Sequence, residues 1–159
     1  PPVSMASSEE ARLFITDTIH KNCLFTLKHA ACAPLLNIRA AKAEKLADDL
    51  YKVSVTVANE GFLPTYLTER ALKHGTAGPV HVALDLPEGA ELLIGQPTTD
   101  VGHLAGRDER TATWSPWLRQ WNETRTVLEW LVRAPSGGKL TITASAQRAG
   151  RQTSEVTLS

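Results

Sequence analysis

Residues Tyr51 to Thr65 read YKVSVTVANEGFLPT. The first eight residues alternate strictly. Tyr51, Val53, Val55 and Val57 point one way; Lys52, Ser54, Thr56 and Ala58 point the other, which is the pattern of a half-buried strand. The strand then runs into Asn59-Glu60-Gly61, an apolar pair, and Pro64-Thr65. A solvent turn would be polar throughout, so Phe62 and Leu63 are expected to pack beneath a neighbouring strand. Pro64 would end the ladder there without leaving an unmet N–H. Gly61 is expected to take a positive φ, as turn glycines often do.

The period-two signal continues on both sides of this stretch. Leu36 to Ala40 is a short strand candidate, and Val80, Val82, Leu84 and Leu86 alternate cleanly. Pro87-Glu88-Gly89 turns the chain into Glu91 to Ile94. Thr126 to Val132 is a further strand. Ser136-Gly137-Gly138 leads into Leu140, Ile142, Ala144 and Ala146, and Arg148-Ala149-Gly150 leads into Thr153 to Leu158. Tyr66 to Lys73 reads as strand or short helix, with Pro64 and the Thr/Tyr content favouring strand. About seven short strands at this spacing predict a mainly β fold, an immunoglobulin-like or Greek-key β-sandwich over residues 35–159.

A different period precedes it. Ser8 to Ala33 reads as one long α-helix. Ser7 and Glu10 have capping-box spacing, and Pro34 is the stop. Ile15, Ile19, Cys23, Leu27 and Ala31 recur every four residues, with Leu24 and Ala30 beside them. About 26 residues would extend ~39 Å, longer than strands of about 17–20 Å. Such a stripe predicts a partner, and self-association of the chain through this helix is expected. Residues 1–34 are therefore expected to be a linker helix, separate from the sandwich.

The 159 residues suit one domain with an appendage, and 42% apolar content is enough to build a core. Seventeen basic residues balance 17 acidic ones, so the basic footprint of a nucleic-acid binder is missing. No apolar stretch approaches the ~20 residues of a membrane span. The chain opens Pro-Pro-Val, which reads as a cut end of something longer. Cys23 and Cys32 are nine apart. On one helix they fall about 900° and ~13 Å apart, too far for a disulfide, and are expected to be free and mostly buried.

Catalytic chemistry is hard to assemble. None of His20, His29, His74, His81 and His103 belongs to a metal-ligand motif, and His81 falls on the polar side of its strand. There is no nucleophile elbow or phosphate loop, so no catalytic, cofactor-binding or metal residues are expected on this chain. Trp114, Trp117 and Trp121, in TWSPWLRQW, fall at helical spacing around Leu118. They read as a sugar-stacking platform, as a plug of the sandwich's open end, or as a docking surface.

The run LADDLYKVSVTVANEGFLPT (46–65) resembles the C-terminal domain of bacterial zinc carboxypeptidases of the carboxypeptidase A-like metallopeptidase family. In that family a Leu-Tyr-Lys/Arg-Val strand leads into an Asn-x-Gly-x-Leu-Pro-Thr corner, here Asn59, Gly61, Leu63, Pro64 and Thr65. Gly102-His103-Leu104-Ala105-Gly106-Arg107 resembles the family's Gly-Leu-Gly loop. Glu129 to Val132, Gly137 and Ala149-Gly150 resemble its closing hairpins. Pro1-Pro2 and the helix up to Pro34 resemble the segment following the catalytic domain. The resemblance implies a non-catalytic, structural or docking domain beside its own peptidase domain. The zinc, its His-x-x-Glu and later His ligands, and the catalytic Glu would all lie upstream. A periplasmic or secreted location would follow. The alternative is a carbohydrate- or cell-wall-binding module using the three tryptophans.

Overall fold

The computed structural model describes residues 9–66, 68–107 and 124–159. These divide into two compact units, one ending at Cys32 and one running from Ala33 to Ser159.

The first unit carries helix α1, Glu9–Ala31. Steps of four residues advance about 400°, so the stripe from Ile15 to Ala31 drifts roughly 40° at each step. Phe14 and Phe25, eleven residues apart, share a different side. The apolar positions thus spread around the helix rather than forming one stripe. Phe14, Ile15, Ile19, Leu24, Phe25 and Leu27 are all exposed, the two phenylalanines by 73% and 70%. Both cysteines are free, as the spacing predicts. However, Cys23 is exposed and Cys32 is only partly covered, because neither position faces a core. No helix of the described residues is long and apolar enough to cross a membrane.

The second unit is an immunoglobulin-like, Greek-key β-sandwich. Its described residues form β1 (Leu36–Ala47), β2 (Leu50–Asn59), β3 (Val80–Asp85), β4 (Glu91–Ile94), β5 (Thr98–Gly102), β6 (Arg125–Arg133), β7 (Lys139–Ala146) and β8 (Gly150–Thr157). Two four-stranded sheets have the orders β1-β2-β6-β4 and β5-β3-β7-β8, and every pairing is antiparallel. The alternation read from the sequence decides the inner faces. Tyr51, Val53, Val55 and Val57 from β2 meet Val80, Val82 and Leu84 from β3 in one core. Trp130 and Val132 from β6 and Leu140, Ile142 and Ala144 from β7 complete it. Trp130 donates its indole N–H to the Gln96 carbonyl at 3.0 Å, beside Gly95, whose φ is 108°. A Cβ at Gly95 would run into that indole. The Tyr51 hydroxyl is buried and meets no partner among the described residues.

Three expectations are corrected. The strand expected at Leu36–Ala40 continues to Ala47, paired with β2 with irregularities at Arg39 and Leu46, until Asp48-Asp49 closes the hairpin. Its far half, AAKAEKLA, is rich in helix formers, and pairing with β2 overrides that propensity. Thr98–Gly102 is an eighth strand at the edge of the second sheet. The stretch Tyr66–Lys73 carries no described strand. Glu69–Lys73 is instead a one-turn helix, α2, capped by Thr68, whose hydroxyl accepts from the Ala71 N–H at 3.2 Å.

Candidate functional site

β2 ends at Asn59, and the chain turns there through the residues that carried the family resemblance. The packing inverts what was expected of this corner. Phe62 is 54% exposed and Leu63 only half-buried, whereas Asn59 and Thr65 are each 3% exposed. The polar side chains are inside because every hydrogen-bonding group on Asn59 is used. Its Oδ1 accepts from the Leu35 N–H and the Gly61 N–H, both at 3.0 Å. Its Nδ2 donates to the Leu63 carbonyl at 2.8 Å and the Ala105 carbonyl at 3.2 Å. A buried amide with two acceptor and two donor bonds leaves no desolvation penalty unmet.

The corner's partner is the loop after β5. Thr65 N–H donates to the Leu104 carbonyl at 3.0 Å, and Leu104 N–H returns to the Thr65 hydroxyl at 3.1 Å. Arg107 N–H donates to the Gly61 carbonyl at 2.8 Å. Two glycines make this approach possible by lacking a Cβ, and Gly61 does not have the positive φ expected of it. A Cβ on Gly61 would lie 2.6 Å from the Leu35 nitrogen. One on Gly106 would lie 2.6 Å and 2.7 Å from the carbonyl carbons of Phe62 and Leu63. The two family-like segments, Asn59–Thr65 and Gly102–Arg107, are thus brought together as one hydrogen-bonded unit.

Charge sits at its margin. Asn37 first, and then Arg39, hydrogen-bond the Glu60 carboxyl and hold its pKa below the ordinary carboxylate value. The Arg39 Nε–Glu60 Oε1 separation is 2.9 Å. His103 leans on Tyr66, with ring centroids 4.5 Å apart. The residue stays exposed, yet partial burial lowers the pKa of its imidazole below 6.5.

Beside the corner lies a cleft of about 260 Å³. Pro34, Leu63, Pro64 and Tyr66 give it apolar walls. Ala71 and Ala77 leave space at its α2 side, and among the described residues Arg148 alone brings it a formal charge. Arg148 belongs to the turn between β7 and β8. That turn is anchored beside Pro34, because the Ala149 carbonyl accepts from the Leu36 N–H at 2.9 Å.

Trp114, Trp117 and Trp121 lie outside the described residues. His81 is exposed on β3, as expected, where its Nδ1 contacts the Asp100 carboxylate on β5. Among the described residues no three His, Cys, Asp or Glu side chains cluster as a metal site would require. Sequence reasoning missed the Asn59 bonding and the Tyr66–His103 pair. The first had a signal: Asn followed two residues later by Gly is an Asx-turn pattern.

No curated protein matches the chain. Among solved structures it is similar to the GAE domain of GGA2p from Saccharomyces cerevisiae. That likeness has 11% identity and a TM-score of 0.40, and covers 77% of this chain and 93% of that one. Residues 35–157, which hold the corner, all of the cleft's lining but Pro34, and all eight described strands, match a family described as "Domain of unknown function (DUF8731)", and the chain belongs to that family.

Proposed function

We propose that the chain is a non-catalytic β-sandwich domain that accompanies a zinc carboxypeptidase-like catalytic domain, with a structural or docking role beside it. One observation carries this reading. The two segments that resemble the accessory domain of those enzymes are far apart in the chain, yet they bond to each other through Asn59, Thr65 and Gly61, whose partners are 39 or more positions away. Matching residues that serve one local structure support a shared origin better than matching residues scattered over a fold. The zinc and the residues that work with it would belong to the upstream domain, and no residue here is assigned to them.

The exposed apolar residues of α1 favour a second contact. Chains associate with one another through this helix, because apolar surface of this extent seeks a partner.

The peptidase reading is tested at two levels. The isolated chain, dialysed and analysed for metal, is expected to hold no stoichiometric zinc and to release no C-terminal residue from a model peptide. Equimolar zinc together with release would make the chain an enzyme. Sequencing the gene upstream of Pro1 is expected to reveal a His-x-x-Glu pair and a later His in one domain. An upstream region of unrelated type would end the proposal.

A further inference from the structure

We propose that the cleft between the corner, α2 and the β7–β8 turn binds a free carboxylate carried next to an apolar side chain, the chemistry found at the C-terminus of a peptide. Few polar groups of the cleft are still available to a ligand. Thr65 and Thr68 both border the cleft, but each hydroxyl already has work. The Thr65 Oγ1 accepts from Leu104 N–H, and the Thr68 Oγ1 caps α2. Two polar groups remain, the Tyr66 hydroxyl and the Arg148 guanidinium, and the charged one, Arg148, forms an ion pair with no carboxylate of the described residues. A guanidinium offers a planar fork that a carboxylate fills with two parallel hydrogen bonds. Such a ligand brings the one charge the cleft lacks.

The walls specify what should adjoin that charge. Pro34 and Pro64 have fixed φ angles, so their rings are rigid apolar surfaces at little entropic cost. Tyr66 adds an aromatic face, itself supported by His103. The α2 side is equally fixed, since Ala77 N–H folds back onto the Ala71 carbonyl at 3.2 Å. The two alanines keep that side open where larger residues would close it. At 260 Å³ the space is below the roughly 300–1,000 Å³ of sites for drug-sized ligands, so it suits one side chain and its terminal carboxylate. The proposal stands on this cleft alone. Its failure would leave the association with a peptidase domain untouched.

The experiment titrates the whole chain with acetyl-leucine and with acetyl-leucinamide, which differ only in the carboxylate, and follows backbone amide NMR shifts. Acetyl-leucine is expected to give saturable shifts at Tyr66, Ala71, Ala77 and Arg148. The amide should bind about tenfold more weakly, the size expected for loss of a charge-assisted hydrogen bond. Arg148→Ala should lower affinity for the acid by a similar factor and leave the amide unaffected. Arg148→Lys should restore part of it. Because Arg148 is exposed, both variants should keep the fold. Filling the cleft with Ala71→Phe should abolish binding of both ligands. Absence of saturable shifts at about 10 mM would overturn the proposal, since it places the dissociation constant beyond the millimolar range. Equal affinity for acid and amide would overturn it too. So would equal binding of acetate and acetyl-leucine, which would leave an anion contact without the apolar pocket.

Discussion

Helix α1 and the corner after β2 are opposites. In the helix, large apolar side chains are outside; in the corner, polar side chains are inside while Phe62 is out. Both break the usual assignment of residue type to environment, and for the same reason. Burial follows from whether a group finds partners. The Asn59 amide finds four, so it is buried without penalty. Phe14 and Phe25 share one side of α1, and no core among the described residues of their unit covers it, so they remain exposed.

The sharpest way to break this comparison is at the glycines. Gly61→Val or Gly106→Ala forces a Cβ against backbone that cannot retreat, and should cost about 4 kcal/mol or more, among the largest single-site effects. Asn59→Ala should follow at about 3 kcal/mol, because several buried groups lose their partners at once. Phe62→Ser should stay within about 0.5 kcal/mol, as surface changes do. Urea unfolding measures all of these. If Phe62→Ser proved as damaging as Asn59→Ala, the corner would be held by apolar packing after all.

The helix should behave in the opposite sense. Phe14→Ser with Phe25→Ser should leave the unfolding midpoint of the sandwich unchanged while reducing association seen by sedimentation at high micromolar concentration. An association that survives both changes, and also survives removal of residues 1–33, would move the contact to the sandwich.

The smallest expected effect concerns pH. Partial burial lowers the pKa of His103 below 6.5 in the folded chain, and Tyr66 is the aromatic ring packed beside it. As pH falls through about 6.5, the unfolded chain therefore takes up this proton first. This site's contribution should be lost between that value and the lower folded one, and stability should rise with pH through the window. Proton NMR should place the His103 midpoint below 6.5, and Tyr66→Ala should move it back upward. A midpoint unmoved by Tyr66→Ala would remove the stacked pair as the source of the shift.

These contrasts also mark what could be read before the structure. β2, β3 and β7 were legible because each alternates cleanly and each is half-buried, so pattern and environment agree. β5 was not, since Thr98-Thr99-Asp100 at a sheet edge carries no apolar alternation. α2 was hidden by the Pro and Thr residues before it, which favour extended chain but here serve as entry and cap. At the corner, the family-like motif located the site, but its apolar pair suggested the wrong cause. The closures that hold it reach Leu35 and Ala105, 24 and 46 residues from Asn59, and no local pattern reports contacts so distant. The cleft was equally invisible, because its walls come from four separate parts of the chain.

The far half of β1 has a bearing on how the domain behaves at high concentration. A twelve-residue strand at the end of a sheet is a template on which another chain can add itself. Here that strand carries Lys42, Glu44 and Lys45, and its last four residues are exposed. Charged side chains along an open edge make the addition of a foreign strand costly. The alanine, lysine and glutamate content that disguises β1 as a helix thus also discourages strand-to-strand aggregation at the sheet's exposed end.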